Sequence, residues 1–238
     1  MKLGIIGYGK MGHEIEKIAL ARNHEITLIV DLHNRDDLNQ EKLKPVDVAL
    51  EFTTPGTAYA NIRKCFNGNV PVVSGTTGWL EQYDTITAYC LQKNLAFFYA
   101  SNYSLGVNIL FKLNRYLAGI MDRFREYRVE IEEIHHIQKL DAPSGTAVTL
   151  ANDMIPILEQ VDRWAPEGEA GKDAVPIRSI RKDMVPGTHR VIYDSEYDSL
   201  EIIHTAKGRT GFALGALLAA EFLYGKKGIF GMSDLLPF

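Results

Sequence analysis

Gly7, Gly9 and Gly12 stand as G-x-G-x-x-G in the run KLGIIGYGKMG, directly after a short apolar segment and at the start of a helical one. No other feature restricts the fold of this chain as much. Gly7 permits a tight turn out of a strand, Gly9 lets a pyrophosphate approach the backbone, and Gly12 lets the helix pack closely on the sheet. The helix N-terminus adds free N–H groups and the positive end of a dipole. The spacing also occurs in turns that bind nothing, so its surroundings decide. Here the β-branched run HEITLIVD ends at Asp31, about twenty residues on, where an acid takes the hydroxyls of an adenosine ribose. Gly7, Tyr8, Gly9, Lys10, Met11, Gly12 and Asp31 are therefore the candidate dinucleotide contacts.

The rest of the first half supports that reading. VDVALEFTTP, VPVVSGTTG and LAFFYASN read as further strands, and residues 11–21, 57–65 and 80–93 as helices. Alternation at this rhythm implies a parallel, doubly wound sheet. Strands that are near-continuous apolar runs belong to a sheet covered on both faces. Two loops follow strands at the carboxyl edge, where such folds bind ligands. Gly75, Thr76 and Thr77 form one; Ala100, Ser101, Asn102 and Tyr103 form the other. Both are candidates for ribose or nicotinamide contacts, although the same residue types are ordinary in turns. Asp31 would repel a 2'-phosphate and so favours NADH. Lys10, His33 and Arg35 stand near enough to soften that repulsion, which leaves NADPH open.

After Ser104 the character changes. Residues 105–119 form one amphipathic helical pattern, and REYRVEIEEIHH alternates polar with apolar, as a strand with one exposed face does. Residues 147–158 are helical. HRVIYDSEYDSLEIIHTA reads as an antiparallel hairpin, and GFALGALLAAEFLYG as a helix of small residues. Residues 162–187 are charged, rich in Pro and Gly and poor in core residues, and are expected to form a long excursion without a core, mobile or at a subunit interface.

The stretch EEIHHIQKLDAPSGTA carries the remaining chemistry. Adjacent histidines on a strand point to opposite faces, so His135 and His136 are a poor pair for one metal ion, and no metal is expected. One buried and one exposed histidine of purely structural purpose would also fit the pair alone. Lys139 adds a cation just past the strand. Ser144 is a good N-cap for a helix beginning at Gly145, whose first N–H groups, with those of Thr146 and Ala147, would point outward as a carboxylate site. A cation, an imidazole and an anion-binding turn in one segment suit a substrate with two carboxylates.

Bulk properties narrow the class. A net charge of -4 over 238 residues gives no basic field for nucleic acid. No apolar run approaches a membrane span, and the N-terminal apolar stretch is too short for a signal peptide. Cys65 and Cys90 show no C-x-x-C spacing and read as free thiols in a reducing cytoplasm.

With E-I-H-H-I-Q-K-L-D-A-P-S-G-T-A, and with GYGKMG, SGTTGW, ASNYSLGVN and GRTGFALGALLAAEFLYGKKGIFGM in order, the chain resembles the bacterial dihydrodipicolinate reductases along its whole length. The resemblance implies reduction of the cyclic dicarboxylate 4-hydroxy-tetrahydrodipicolinate by NADH or NADPH, with loss of water, in lysine and diaminopimelate synthesis. It implies His135 as proton donor and acceptor, and Lys139 as a second proton donor or substrate-holding cation. His136 would contact a substrate carboxylate and Gly145 and Thr146 would bind one. It implies a homotetramer built on the second domain, with the C-terminal helix returning to the first. The expected fold class is thus α/β, a Rossmann-type doubly wound parallel sheet plus a second α+β domain with an open, largely antiparallel sheet. The nucleotide domain would span residues 1–104 and 207–238, and the substrate-binding and oligomerisation domain residues 105–206. The chain departs from the family pattern in a shorter segment between the second and third strands, in Asp31 where glutamate is more frequent, and in Ser101. A dehydrogenase of a linear amino acid, or a non-catalytic NADH sensor, would share the nucleotide half without needing the His-His-x-x-Lys and Ser-Gly-Thr set.

Overall fold

Strand β1 (Lys2–Ile6) enters the glycine loop and helix α1 (Lys10–Ala21) leaves it, with Gly9 as N-cap. The computed structural model describes residues 1–237. The first unit, Met1–Ser104 with the chain from Arg209 onward, continues through β2 (Glu25–Val30), the short α2 (Gln40–Leu43), β3 (Val48–Glu51), α3 (Pro55–Asn67), β4 (Val72–Ser74), α4 (Tyr83–Gln92) and β5 (Ala96–Tyr99). Helix α3 shows why these segments fold locally. Pro55 sits at its start, where a missing N–H costs nothing, and Ala58, Ile62, Cys65 and Phe66 form one buried stripe. The region read as a helix over 80–93 opens with a 3-10 turn at Leu80–Gln82 before α4 begins.

The second unit, Leu105–Gly208, comprises α5 (Leu105–Met121), β6 (Arg128–His135), α6 (Gly145–Met154), β7 (Arg163–Pro166), β8 (Ala174–Arg181), β9 (Thr188–Asp194) and β10 (Ser199–Thr205). The chain then returns to the first unit as α7 (Thr210–Leu223), β11 (Gly228–Phe230) and α8 (Met232–Leu235).

The first sheet has the order β11-β5-β4-β3-β1-β2 and all its pairings are parallel. Its central strands are buried on both faces: Leu3, Ile5, Val48, Ala49, Leu50, Val72, Val73, Phe97 and Phe98 expose nothing. Each Val, Leu, Ile or Phe among them contributes about 1.5–3 kcal/mol of burial. That anchors the carboxyl edge from which the loops after β1, β2, β4 and β5 leave.

The second sheet has the order β10-β9-β6-β8-β7. It is antiparallel across β10, β9 and β6, and parallel across β6, β8 and β7. The expectation of a coreless excursion over 162–187 is corrected here. That segment supplies β7 and β8, and Val175 and Ile177 of β8 are buried in the second core beside Ile131 and Tyr193. The charged and Pro/Gly residues that suggested a loop lie largely between and after these strands, and within β8 Pro176 and Arg178 stand on the face opposite buried Val175 and Ile177. Strand β6 alternates as expected, with Ile131, Glu133 and His135 on the buried side.

Candidate active site

In the first unit, a cleft of about 410 Å³ is lined by Gly7, Gly9, Asp31, Arg35, Thr53, Thr54, Asn61 and Lys64 among others. The glycines divide their work as the spacing demands. A Cβ on Gly7, whose φ is +96°, would collide with the Phe52 carbonyl, and one on Gly12 with the Gly7 carbonyl. A Cβ on Gly9 would meet nothing within 4 Å, which leaves that side of the loop open to an incoming group. No acidic side chain occupies the first turn of α1, so its positive dipole end is not neutralised there. These residues fit a dinucleotide.

The other expected contacts are placed less uniformly. Lys10 and Met11 begin α1. Tyr8 is turned toward α1, its hydroxyl donating to Glu16. Asp31 follows β2, its backbone N–H held by Asn34 Oδ1 at 2.7 Å. Gly75, Thr76 and Thr77 follow β4, and Ala100, Ser101, Asn102 and Tyr103 follow β5, at the carboxyl edge but not in the cleft lining. The side chain of Tyr103 is buried, and its hydroxyl donates to the Ser74 carbonyl at 2.7 Å. The Tyr103 hydroxyl is thus already taken up within the fold.

Sequence reasoning missed Glu51. This fully buried carboxylate accepts from the Thr53 hydroxyl, from Ser74 Oγ at 2.7 Å and from Thr76 Oγ1 at 3.0 Å, and so ties the loops after β3 and β4 together. Burial raises its pKa despite those donors.

In the second unit, β6 ends at His135, which is 7% exposed, and His136 lies just beyond. Lys139 Nζ donates to both Asp141 oxygens, at 2.7 and 2.8 Å, and this bond holds the Asp141 carboxyl below its ordinary value. Ser144 caps α6 as expected, its Oγ accepting from Ala147 N at 3.3 Å. Gly145 opens the helix with nothing within 4 Å of its missing side chain, and no acid stands in the first turn. The turn can therefore receive an anion.

Beneath these residues lies a network the sequence reading did not name. The ladder sets Ser179, Glu133, His189 and His204 in one row across β8, β6, β9 and β10. Arg181 donates to Glu133 and to the carbonyl oxygens of Lys139 and Asp141, which fixes the Lys139 loop on the sheet. The signal available beforehand was the alternation itself, which puts an acid on the face of Ile131 and His135. Its partners depend on strand register.

One donor atom from each of Glu133, His135 and His189 lies within 4.8 Å of the others, close enough to bracket a cation. The Arg181 guanidinium, 3.2 Å from Glu133, already supplies positive charge to that carboxylate, and Ser144 Oγ lies 3.1 Å from His189 Nε2. The set reads as a buried polar cluster anchored by Ser144, Ser179 and Arg181. His136 is not part of it.

His189 has its pKa lowered from 6.5 to about 4, because burial penalises the imidazolium and His135 adds to that, with Glu133 opposing. An unfolded His189 takes up a proton as pH falls through 6.5, whereas the folded one stays neutral to about 4. Between those values the unfolded state binds more protons. The stability is complete above the window and is lost on descending it, up to roughly 3 kcal/mol. Glu133 acts lower down, since its folded pKa is depressed and its contribution disappears only as unfolded carboxyls protonate. Denaturant unfolding at about pH 5 should therefore give roughly 2 kcal/mol less stability than at neutral pH. The His189→Gln variant should show little of that loss over the same interval.

Comparison with known proteins matches both units. The family model described as dihydrodipicolinate reductase, N-terminus, covers residues 1–103, and that described as dihydrodipicolinate reductase, C-terminus, covers residues 106–236. The 4-hydroxy-tetrahydrodipicolinate reductase of Christiangramia forsetii is 49% identical over 238 residues, 99% of this chain and 98% of the relative. A dihydrodipicolinate reductase from Paenisporosarcina sp. TG-14, solved with dipicolinate bound, superposes with a TM-score of 0.82 at 26% identity, covering 99% of each chain. A DAP dehydrogenase from C. glutamicum, at 13% identity and a TM-score of 0.54 over 100% of this chain and 96% of its own, shares the fold alone.

Proposed function

The chain belongs to the dihydrodipicolinate reductase family, and from that membership we propose a division of labour among its residues. The reaction is the NAD(P)H-dependent reduction of 4-hydroxy-tetrahydrodipicolinate to tetrahydrodipicolinate with loss of water, a step of lysine and diaminopimelate biosynthesis. The nicotinamide cofactor, when bound, supplies the hydride. Gly7 to Gly12 and Asp31 hold the dinucleotide, with Gly75 to Thr77 and Ala100 to Tyr103 at the nicotinamide end.

The second unit handles charge and protons. Its ligand is a ring with two carboxylates, and the dipicolinate in the Paenisporosarcina relative supports that class. Gly145 and Thr146 receive one carboxylate through the free N–H groups of α6. His136 contacts a carboxylate, and Lys139 supplies a cation or a second proton. Hydride addition builds negative charge on the ring, and His135 delivers the proton that neutralises it. The observation that carries this reading is the single connected assembly of residues 133–146. Buried Glu133 touches His135, the Ser144 cap and Arg181, so acid, carboxylate turn and lysine loop share one anchor.

Asp31 makes NADH the favoured cofactor. Arg35 and Lys64 line the same cleft and leave room for a 2'-phosphate partner. Replacing Asp31 with Ala should raise the NADPH to NADH ratio of kcat/KM by about tenfold or more, because a hydrogen bond to a charged group is worth roughly 1.5–3 kcal/mol. An unchanged ratio in steady-state kinetics would remove Asp31 from the ribose site.

The second unit also carries the contacts of a homotetramer. Its open sheet ends in β10, where Leu200 and Ile203 are exposed, and exposed sheet edges are commonly covered. The cytoplasm is the compartment, a reading supported by the buried free thiols of Cys65 and Cys90. No helix among the described residues is long and apolar enough to cross a membrane.

A further inference from the structure

Glu133 exposes none of its surface, yet it is the hub of the second unit's polar cluster. Its two oxygens are used differently. Oε1 accepts from Ser144 N at 3.0 Å, Ser179 Oγ at 2.8 Å and Arg181 Nη2 at 3.2 Å. Oε2 receives none of these. It faces His135 Nδ1 at 3.2 Å and His189 Nε2 at 3.9 Å. Burial acts to raise the Glu133 pKa, but the His135 ring beside Oε2 and the bonds from Ser144 and Ser179 outweigh it and hold the carboxyl well below the usual range. An anchor for the helix cap and for Arg181 needs only Oε1. The aim of Oε2 at an imidazole is left over, and it has a chemical use.

We infer that Glu133 is a positioning residue for the reduction, its Oε2 keeping a proton on His135 Nδ1 so that Nε2 is the nitrogen that gives and recovers the reaction's proton. This rests on His135 being the acid. In the step, the N–H bond at Nε2 breaks as the bond from that proton to the reduced ring forms. The imidazolium becomes a neutral ring still protonated on Nδ1, and water restores the Nε2 proton afterwards.

The surroundings of Nε2 agree. It lies against the backbone of Gly187, where a Cβ would stand only 3.1 Å away, so the absence of a side chain there keeps the nitrogen clear. His189, neutral above about pH 4, does not compete for Oε2 as a cation. Its ring meets that of His135 edge to face at 5.0 Å and limits rotation. Through Ser144 N and Arg181 the same carboxylate sets the anion-binding turn and the Lys139 loop, so the acid and both substrate-holding elements are registered to one group.

Glu133→Gln tests this with little change of shape. Three donors feed the Oε1 position, so the amide oxygen takes it and the amide NH2 falls where Oε2 was. That NH2 donates to His135 Nδ1 and keeps it unprotonated, so the ring holds its one proton on Nε2 and no longer forms the imidazolium that acts as the acid, a loss of the kind seen when a carboxylate that orients a catalytic histidine becomes an amide. The expected kcat falls roughly a hundred- to ten-thousand-fold, while NADH affinity stays at the wild-type level. Glu133→Asp, which retains a carboxylate, should recover at least about tenfold of that loss. Nitrogen NMR of the neutral His135 ring should show the proton on Nδ1 in the wild type and on Nε2 in the Gln variant.

Wild-type turnover in Glu133→Gln beside a dead His135→Gln would overturn the inference and leave His135 as the acid. Full activity in both variants would remove the acid assignment and the inference together. If the Gln variant does not fold, the wild-type spectrum decides: a neutral ring protonated on Nε2 overturns the inference, and one protonated on Nδ1 supports it.

Discussion

Lys139→Ala should lose several hundred-fold in turnover, on the order of 4 kcal/mol of transition-state stabilisation for a positioned charge. The ammonium sits on a loop that Arg181 pins through the Lys139 and Asp141 carbonyls, and the Lys139 N–H donates back to the His136 carbonyl at 3.1 Å. Asp141, its partner in the free protein, is mostly exposed. A substrate carboxylate can replace it at small cost, because an exposed ion pair is worth about 0–1 kcal/mol. The same figure says the variant should fold nearly as well as the wild type. Steady-state kinetics and thermal unfolding on one preparation separate the two effects. Near-normal turnover would exclude Lys139 from the chemistry, whereas a large fall in melting temperature would make its role structural.

His135→Gln should cost roughly a hundred- to ten-thousand-fold in kcat, the usual range for a positioned acid. NADH binding should be unaffected, since the proposed dinucleotide contacts lie in the first unit and His135 lies in the second. Glutamine is polar and near the size of histidine, and its amide can take a hydrogen-bonded place beside Glu133 Oε2, so the buried cluster keeps a partner. A variant that binds NADH normally and turns over within about tenfold of the wild type would show that another group supplies the proton.

Much of this was legible in the chain. The glycine loop could be read because its constraints are local: a positive φ at Gly7, close packing at Gly12 and open space at Gly9 each follow from one residue type. The Ser144 cap and the alternation of β6 were local signals as well. What failed to show was whatever depends on register between distant strands. Glu133 meets Ser179, Arg181 and His189 across 46 to 56 positions of sequence, which no period of 2 or 3.6 records. The same limit hid β8. Its parallel pairing with β6 and β7 buries Ile177 and Val175, but Pro176 and the charges around it resemble a loop when read alone. Strand β11 was missed for its brevity, three residues that form a strand because β5 offers an edge. Tyr103 looked like a loop residue facing a ligand, but its hydroxyl found a buried carbonyl instead.

The most direct measurement follows the loss of reduced-nicotinamide absorbance when the protein meets NADH, and separately NADPH, with the cyclic substrate generated in place from pyruvate and aspartate semialdehyde by its synthase. Fast oxidation that requires the substrate is expected, with NADH the better donor. Dinucleotide binding without substrate-dependent oxidation, or oxidation of a linear amino acid by NAD in its place, would contradict it.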